Sequence, residues 1–471
     1  MIIDGSEINF DKKIKIHNPY NNKIVGEVVN ADDELIKLAL EKSRSFSCNL
    51  SVNDKEAILT DTAKYIENNK FKFAQIITSE SGLSLKDAIY EVGRVINCAR
   101  YAVKCCAKVN SDISENFIFD DENSPKLNVI KEPLDLVVAI TPFNHPMNQV
   151  AHKIFPAIIA GTSIVLKPSE KTPLSSIFLV NALIKNGLPK NMINVITGDD
   201  GKRIFDSILL FPEINMVTFT GGLKAGIEIK KMMVNKKHFL IKYVPELGGS
   251  SSLIICDDGN LDKAVNVILN GCFKNSGQRC TSIRRVIVDN KIAEQFKEKL
   301  ITEVKKIKYG DPYDESNDMG TVIDEMAATE IQNRVNQAVS EGANLLYGNI
   351  RSGALYSPTI VDNVNLSMKL VKEETFGPVC PIIRSSSFEE SLEIAKNTKY
   401  RLAGGIITSD SNKAKIASEV LKVGQFSFNG PPSYRTEVAP FGGFGDSGNG
   451  EKEGILMAAF GMQRIRTFYS H

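Results

Sequence analysis

The sequence lacks the residues that most metal sites and nucleic-acid interfaces require. It contains no tryptophan, only five histidines and no CxxC pair among its eight cysteines. This spacing does not favour a structural zinc site, and no metal is predicted. Lys and Arg total 57 against 56 Asp and Glu, a formal net charge of +1. The chain therefore carries no overall positive field for nucleic acid or an anionic membrane, so an anionic ligand must be recognised locally.

Two kinds of hydrophobic segment are also missing. The N-terminus, MIIDGSEINFDKKIKIHNPY, has no basic stretch followed by an apolar one, which indicates no secretion signal. No apolar run reaches the roughly 18 residues that a transmembrane helix needs. The sequence therefore predicts a cytoplasmic protein, and in that reducing compartment we expect its thiols to be free.

Strand and helix patterns alternate through most of the chain. The apolar segments that predict strands are LDLVVAITPF (134–143), TSIVLKP (162–168), MINVITG (192–198), MVTFTGG (216–222) and HFLIKYV (238–244). Helical apolar spacing separates them, and also covers residues 31–46, 53–81 and 86–107. This order is typical of a doubly wound parallel sheet. A second α/β series, with a predicted helix at 260–273, begins after ELGG and runs to about residue 428.

Cys280 lies in the stretch KNSGQRCTSIRR, residues 274–285. A thiolate is a strong nucleophile, and its pKa falls near a cation such as the neighbouring Arg279. A single buried cysteine is more often structural, so the local sequence leaves both interpretations open.

Three further segments carry candidate chemistry. Glu246 in VPELGGSSS ends a predicted strand and is placed to act as a general base, or is a solvated loop residue. Asn144 in AITPFNHPMNQ stands between prolines, next to His145, and its amide suits an oxyanion donor; both residues also suit a turn. FTGGLKAG opens a predicted helix whose N–H groups suit a pyrophosphate, although it is not GxGxxG.

Taken together, the motifs are more specific than any one of them. FNHP, LKPSEKTP, FTGG, PELGG, GQRC, EETFGPV and PFGG follow in that order between residues 143 and 443. By these motifs the chain resembles the aldehyde dehydrogenase superfamily over essentially its whole length. The resemblance implies that Cys280 attacks the aldehyde carbon and that Asn144 and the Cys280 N–H hold the oxyanion. It also implies that Glu246 activates the water that hydrolyses the thioester.

The same resemblance implies a fold and a cofactor site. The expected fold is α/β, aldehyde dehydrogenase-like, with two doubly wound domains and a small β oligomerisation element. Residues 1–116 and 133–247 would form the dinucleotide-binding domain, 248–441 the catalytic domain, and 117–132 and 455–471 the oligomerisation strands of a homodimer or homotetramer. The implied cofactor contacts are Phe143, Lys167, Glu170, Gly221, Gly222, Glu374 and Phe376.

Glu170 favours NAD over NADP, because a carboxylate beside the ribose accepts a hydrogen bond from the 2′-hydroxyl but repels a 2′-phosphate. NADP stays an alternative. The chain departs from many members at Ser250, where they have Lys after ELGG, and at Gly222, where they have Ser after FTG. The second departure removes one possible phosphate contact.

Arg279 bears on the substrate. A guanidinium beside the nucleophile offers a bidentate site for a carboxylate, phosphate or phosphonate. Arg94 and Arg435 occupy matching places in relatives with anionic substrates, and with His145 they suggest a dianionic head group. The alternatives are a surface salt bridge for Arg94 and a loop anchor for Arg435.

Within the superfamily, AITPFNHPMNQVAHKI, KNSGQRCT, MGTVIDE and ALYSPTIVD most resemble the phosphonoacetaldehyde dehydrogenase branch. The expected reaction is the NAD-dependent oxidation of phosphonoacetaldehyde to phosphonoacetate. The alternative substrates are lactaldehyde or another small anionic aldehyde, such as glyceraldehyde 3-phosphate, a sulfo-aldehyde or a semialdehyde. A CoA-acylating enzyme and a non-catalytic scaffold are less favoured, because Glu246, Cys280 and Asn144 are all present.

Overall fold

A computed structural model describes residues 1–114 and 125–470. The strands, numbered along the chain, are β1 (Ile2–Ile3), β2 (Ser6–Glu7), β3 (Lys13–His17), β4 (Ile24–Val29), β5 (Lys126–Pro133), β6 (Leu136–Ile140), β7 (Ser163–Lys167), β8 (Ile193–Val195), β9 (Met216–Thr220), β10 (Lys242–Glu246), β11 (Ser251–Ile255), β12 (Ile283–Asp289), β13 (Asn344–Tyr347), β14 (Arg351–Ser352), β15 (Leu355–Tyr356), β16 (Thr359–Asp362), β17 (Val379–Ser385), β18 (Tyr400–Arg401), β19 (Ala403–Ile407), β20 (Gln425–Phe428), β21 (Phe444–Gly445) and β22 (Gln463–Ser470).

The helices are α1 (Asp33–Arg44), α2 (Val52–Asn68), α3 (Lys70–Ser81), α4 (Leu85–Asn110), α5 (Asn148–Ala160), α6 (Leu174–Lys185), α7 (Gly201–Ile208), α8 (Leu223–Asn235), α9 (Leu261–Ile268), α10 (Ala293–Val304), α11 (Glu325–Ser340), α12 (Lys369–Lys372), α13 (Phe388–Lys396), α14 (Ser411–Leu421) and α15 (Ile455–Gly461). Residues 53–81, predicted as helical throughout, form two helices that break at Asn69. No helix in the described part of the chain is long and apolar enough to cross a membrane.

The first sheet has the order β10-β9-β6-β7-β8-β1-β2. The five strands from β10 at one edge to β8 are parallel, and β1 adds antiparallel to β8. Strand β6 is buried along almost its whole length, as expected for a parallel strand that is covered on both faces. The chain runs outward from β6 through β7 and β8, then returns to β9 on the other side. This reversal confirms the doubly wound prediction and opens a crevice at the carboxyl ends of β6 and β9.

One strand of this sheet begins later in the structure than predicted. The segment 238–244 was predicted as a strand, whereas β10 starts at Lys242, opposite Met216 at the start of β9. The residues before Lys242 have no β9 residue to pair with, and Phe239 and Leu240 are exposed. Strand β10 ends at Glu246.

The second sheet has the order β13-β16-β17-β12-β11-β19-β20, parallel except for β13. It begins with β11, directly after the Gly248–Gly249 turn, as the second α/β series predicted. Asn144 follows β6, Glu246 ends β10, and Cys280 precedes β12.

Strands β5 and β22 form a separate two-stranded antiparallel sheet, in register from Gln463 opposite Pro133 to Ser470 opposite Lys126. The predicted C-terminal strand is thus confirmed, and it pairs within its own chain. Most of the first strand of the predicted hairpin at 117–130 lies outside the described residues. Ile465, Phe468 and Tyr469 of β22 are exposed.

Candidate active site

The backbone before Cys280 is wound into an unusual turn. Helix α9 ends at Ile268 and continues as a π-helical segment, Leu269–Phe273, so the predicted helix at 260–273 is α-helical only in its first part. Asn275, Ser276 and Gly277 then have φ of 60°, 52° and 68°. A β-carbon on Gly277 would collide with the backbone of Gly377, so this position requires glycine. Such left-handed residues are costly and persist only where the surroundings hold them.

Buried hydrogen bonds hold this turn in place. The Asn275 N–H donates to the Asp87 carboxylate at 2.8 Å, and the Asn275 side chain donates to the Asn144 carbonyl at 3.0 Å. The fully buried Arg284 donates to the Gly277 and Gly377 carbonyls. Arg284 therefore anchors the loop that carries Cys280.

Asn144 is buried and follows the carboxyl end of β6. Its side-chain NH2 donates to the Gln278 carbonyl at 2.8 Å. A primary amide has two N–H donors, so this bond fixes the orientation of the group and leaves one donor to offer. This hydrogen bond connects Asn144 directly to the loop that carries Cys280. A turn residue satisfied only by local contacts would not make it.

Cys280 opens into a cavity of about 190 Å³. The cavity brings together residues that the sequence predicted for one site: Cys280, Asn144, His145, Arg94, Arg279 and Arg435. These residues come from four separate stretches of the chain.

The Cys280 side chain is in its neutral thiol form at neutral pH. Burial, together with the negative charges of Glu374 and Glu246, raises the pKa of the thiol to about 12. Arg435 and Arg279 lower this pKa, as predicted for Arg279, but burial outweighs them.

Glu246 is buried, with 2% of its surface exposed, so it is not a solvated loop residue. Neither of its carboxylate oxygens has a hydrogen-bond partner among residues 1–114 and 125–470. Burial, and secondarily the charge of Glu453, raises its pKa well above the usual range. Gly442 packs against the carboxylate, and a β-carbon there would overlap it. A carboxyl group held in this way can exchange a proton with a group brought beside it.

The three arginines of the cavity differ in how they are paired. Arg94 makes a bidentate ion pair with Glu437, at 2.7 Å from Nε and 3.0 Å from a terminal nitrogen. Glu437 is buried and the Arg94 side chain is only 17% exposed, so Arg94 is not in a surface salt bridge. Arg279 donates to the Asn270 carbonyl, and Arg435 stacks on the Phe441 ring at 4.1 Å. The buried Nε atoms of Arg279 and Arg435 have no partner in the described part of the chain.

His145 lies beside a buried carboxylate that caps a helix. Its Nδ1 is 3.4 Å from Glu91, and Glu91 accepts the Met147 and Asn148 N–H groups at 2.9 Å each. These N–H groups begin α5, which has no capping side chain of its own. His145 therefore reaches the cavity from a rigid helix start.

Sequence reasoning missed a cluster next to the cavity. Cys98, His152 and Glu437 are buried, and their donor atoms lie within 4.8 Å of one another. A search for CxxC and HxxxH spacings cannot find them. The sequence signal that could have indicated this cluster is helical spacing. Arg94 and Cys98 are four residues apart on α4 and therefore share a face. The Arg94 and Arg435 guanidinium groups beside the cluster oppose binding of a divalent cation.

A second cavity, of about 620 Å³, occupies the crevice at the ends of β6, β7 and β9. It is lined by predicted cofactor residues: Phe143, Lys167, Glu170, Gly221 and Gly222. Lys167 and Glu170 approach to 3.4 Å. No side chain of the described residues caps the start of α8, and a β-carbon on Gly222 would meet nothing within 4 Å. An uncapped helix start facing an unfilled cavity fits the pyrophosphate of a dinucleotide.

The two remaining predicted cofactor residues lie near this crevice. The Phe376 ring, on a backbone with φ of 49°, packs edge-on against Phe143 with centroids 5.8 Å apart. Glu374 accepts the Gly249 N–H at 3.0 Å, and burial raises its pKa to about 7. In this structure Glu374 therefore binds the glycine turn that follows Glu246.

Comparisons with known proteins identify the family of the chain. A model of the aldehyde dehydrogenase family matches residues 7–467. The chain is 36% identical over 475 residues to lactaldehyde dehydrogenase of Methanococcus aeolicus, with 99% of each chain covered. It is 33% identical over 450 residues to aspartate-semialdehyde dehydrogenase 1 of Pseudomonas canavaninivorans, with 94% of each covered.

Solved structures agree in the same way. Aldehyde dehydrogenase 21 from Physcomitrella patens, in complex with the reaction product succinate, superposes with a TM-score of 0.93 and 31% identity, covering 100% of this chain and 97% of the other. Betaine aldehyde dehydrogenase from Staphylococcus aureus, in complex with NAD⁺, gives a TM-score of 0.92 and 29% identity, covering 99% and 94%.

Proposed function

Since the chain belongs to the aldehyde dehydrogenase family, we propose that it oxidises a short aldehyde with an anionic head group. We expect phosphonoacetaldehyde, which would give phosphonoacetate, to be a good substrate. The observation that carries this proposal is the cavity itself, where Arg279, Arg435 and Arg94 lie around the Cys280 thiol. A small aldehyde bound at the thiol has no room to place its head group far from these guanidinium groups.

The charges of the cavity favour a doubly charged head group. Glu437 neutralises Arg94, and the charge of Asp87 acts on both Lys274 and Arg279. Arg279 and Arg435 have no carboxylate in hydrogen-bond contact among the described residues. Two such charges match a phosphonate dianion. Charge-assisted hydrogen bonds to guanidinium are the strongest available for such a ligand.

The chemistry assigned to the site uses three side chains. The Cys280 thiol gives its proton to solvent water as its sulfur bonds to the aldehyde carbon, and the free N–H of Asn144 stabilises the resulting oxyanion. Hydride loss converts this adduct to a thioester, for which a bound nicotinamide cofactor supplies the hydride acceptor. Glu246, in its ionised form, then takes a proton from the water that hydrolyses the thioester, releasing the acid and the thiol.

We propose NAD as the cofactor. In the crevice, Lys167 and Glu170 would bind the adenosine ribose and the start of α8 the pyrophosphate. Phe143, with Phe376 packed against it, and Glu374 would bind the nicotinamide riboside. The Glu170 carboxylate disfavours a 2′-phosphate. Rates with NAD and NADP at equal concentration test this preference directly.

A carboxylate-bearing semialdehyde is the second candidate. It is supported by the relative named as aspartate-semialdehyde dehydrogenase and by the structure solved with succinate. One carboxylate would use one of the two unneutralised arginines. Lactaldehyde, named for the Methanococcus relative, carries no charge and would use neither.

Steady-state kinetics on matched aldehydes decide among these substrates. The panel is phosphonoacetaldehyde, succinate semialdehyde, lactaldehyde and propionaldehyde, each with saturating NAD. We expect the kcat/KM for the anionic aldehydes to exceed that for propionaldehyde by roughly 100-fold, and phosphonoacetaldehyde to rank first. An equal kcat/KM for the charged and uncharged aldehydes would overturn the anionic assignment.

We also propose that the protein is a homodimer or homotetramer. Strands β5 and β22 form a sheet of two strands within the described residues, and β22 exposes apolar side chains. Paired strands of this kind are marginal alone and are stabilised by packing against further structure. The mass in solution of wild type and of Phe468→Asp tests the proposal, and we expect the substitution to lower the mass.

A further inference from the structure

Glu437 is the most heavily bonded side chain beside the Cys280 cavity. Its carboxylate accepts from Arg94 at 2.7 Å and 3.0 Å, from His152 at 2.8 Å and from the Cys98 thiol at 3.3 Å. It is 8% exposed and comes from the loop after β20, whereas its partners come from α4 and α5. Burial by itself would raise the Glu437 pKa, but His152 and Arg94 outweigh it and hold the pKa below the usual range. Glu437 is therefore a fixed negative charge.

The hydrogen bonds also define the state of His152. Arg435 can only donate, so its contact with His152 Nδ1, at 3.5 Å, requires Nδ1 to be an acceptor. The proton of the neutral ring then sits on Nε2, where it donates to Glu437. Burial, followed by the charge of Arg435, lowers the His152 pKa to about 4, which agrees with the neutral ring.

These contacts connect both arginines to one carboxylate. Glu437 binds two of the three guanidinium nitrogens of Arg94, so the third nitrogen can donate to a ligand in the cavity. It holds Arg435 through His152, whose tautomer Glu437 sets. Both arginines line the cavity that contains Cys280.

We propose that Glu437 is the positioning residue of the anion pocket: it orients Arg94 directly and Arg435 through neutral His152, and so sets the affinity for the anionic head group. The inference rests on the proposed function. Neither Glu437 nor His152 lines the cavity, so both act through the arginines rather than on the reacting atoms.

Kinetics of Glu437→Gln with an anionic and an uncharged aldehyde test this proposal. Gln keeps the shape of the side chain but removes the charge that holds Arg94. We expect KM for phosphonoacetaldehyde or succinate semialdehyde, whichever the wild type prefers, to rise about 10- to 100-fold. We expect kcat at saturation, and KM for propionaldehyde, to stay within about twofold of wild type. Glu437→Asp, which keeps the charge, should restore part of the affinity.

Two further variants distinguish a role in positioning the arginines from a general effect on the fold. In Arg94→Met, adding Glu437→Gln should raise KM for the anionic aldehyde less than it does in wild type, because one of the two orienting contacts is already gone. Glu80→Gln is the matched control. Glu80 is also buried and bonded, accepting the Leu174 and Ser175 N–H groups at the start of α6, but it lies outside the cavity. It should leave the preference for anionic aldehydes unchanged.

The outcomes are distinct. A wild type without preference for anionic aldehydes overturns the proposed function, and this inference with it. A wild-type preference that survives intact in Glu437→Gln overturns only the inference. Equal losses for charged and uncharged aldehydes would show that Glu437 supports the fold rather than the anion pocket. If Glu437→Gln does not fold, Glu437→Asp is measured in the same assay, and an unchanged KM together with an unchanged preference overturns the inference.

Discussion

Glu246 and Glu437 are two buried carboxylates whose surroundings differ completely. Glu246 is 2% exposed and has no hydrogen-bond partner within the described residues, whereas Glu437 is 8% exposed and accepts four hydrogen bonds. The pKa of Glu246 is raised well above the usual range, first by burial and then by Glu453. For Glu437 the effect of burial is overcome by His152 and Arg94, which lower the pKa.

This difference separates two uses of a buried carboxylate. A group without partners stays close to its neutral form and can exchange a proton during a reaction. A group saturated with donors keeps its charge and fixes the geometry of its partners. Burial alone does not distinguish the two cases, but the donor count does. Each substitution below is chosen to test one side of the contrast.

Glu246→Gln should have the largest effect. We expect the steady-state kcat to fall about 10²- to 10⁴-fold, because water loses its general base, while the first turnover still releases a burst of NADH. Stopped-flow absorbance followed by steady-state rates measures both. Loss of the burst would mean that Glu246 acts before the thioester forms, and the contrast with Glu437 would then need revision.

Glu437→Ala should show the opposite pattern, with its main effect on stability. Removing one partner of a buried ion pair leaves Arg94 uncompensated, for which about 3–5 kcal/mol is typical. We expect a clearly lower urea midpoint than for wild type. Glu246→Gln, which replaces an unpartnered carboxyl, should not lower the midpoint. Equal shifts for the two variants would break the distinction between the two glutamates.

Arg279→Leu extends the contrast to the arginines. Arg279 has no carboxylate in hydrogen-bond contact in the described part of the chain, unlike Arg94, so its charge is available to substrate. We expect kcat/KM for the preferred anionic aldehyde to fall about 10- to 100-fold, with little change for propionaldehyde. Arg100→Leu is the control, since Arg100 lies in an exposed pair with Glu67 on the surface of α4. A similar loss in both variants would count against the anion pocket.

Much of this site could be predicted from sequence, because its parts follow strand ends. Asn144 and Glu246 come directly after or at the end of buried strands, and the carboxyl ends of parallel strands meet at one edge. The doubly wound sheets were predictable from the same alternation. The short motifs around Cys280 and Glu246 are local in the chain, so a linear search finds them.

The cluster beneath the cavity could not be predicted in the same way. Cys98, His152 and Glu437 are in contact only because α4, α5 and the loop after β20 pack together. No sequence spacing indicates this contact. The sequence also does not show that Arg94 pairs with Glu437, so it does not distinguish Arg94 from Arg279 and Arg435. The sequence shows the adjacent Arg279, which lowers the Cys280 pKa as predicted, but it does not show the burial that raises this pKa more strongly.

The pH dependence of stability gives the smallest and most specific test. A carboxyl whose folded pKa is raised binds more protons folded than unfolded, so Glu246 lowers stability as the pH rises from the usual carboxyl range through its folded pKa. Glu246→Gln removes this dependence. The free energy of unfolding of this variant relative to wild type should therefore increase from pH 5 to pH 8, by no more than about 1.4 kcal/mol per pH unit. Glu437 has a lowered pKa, so its contribution is complete above the usual carboxyl range and is lost only below it. The Glu437→Gln difference should consequently stay flat over the same interval, and a slope there with none for Glu246→Gln would reverse the roles of the two carboxylates.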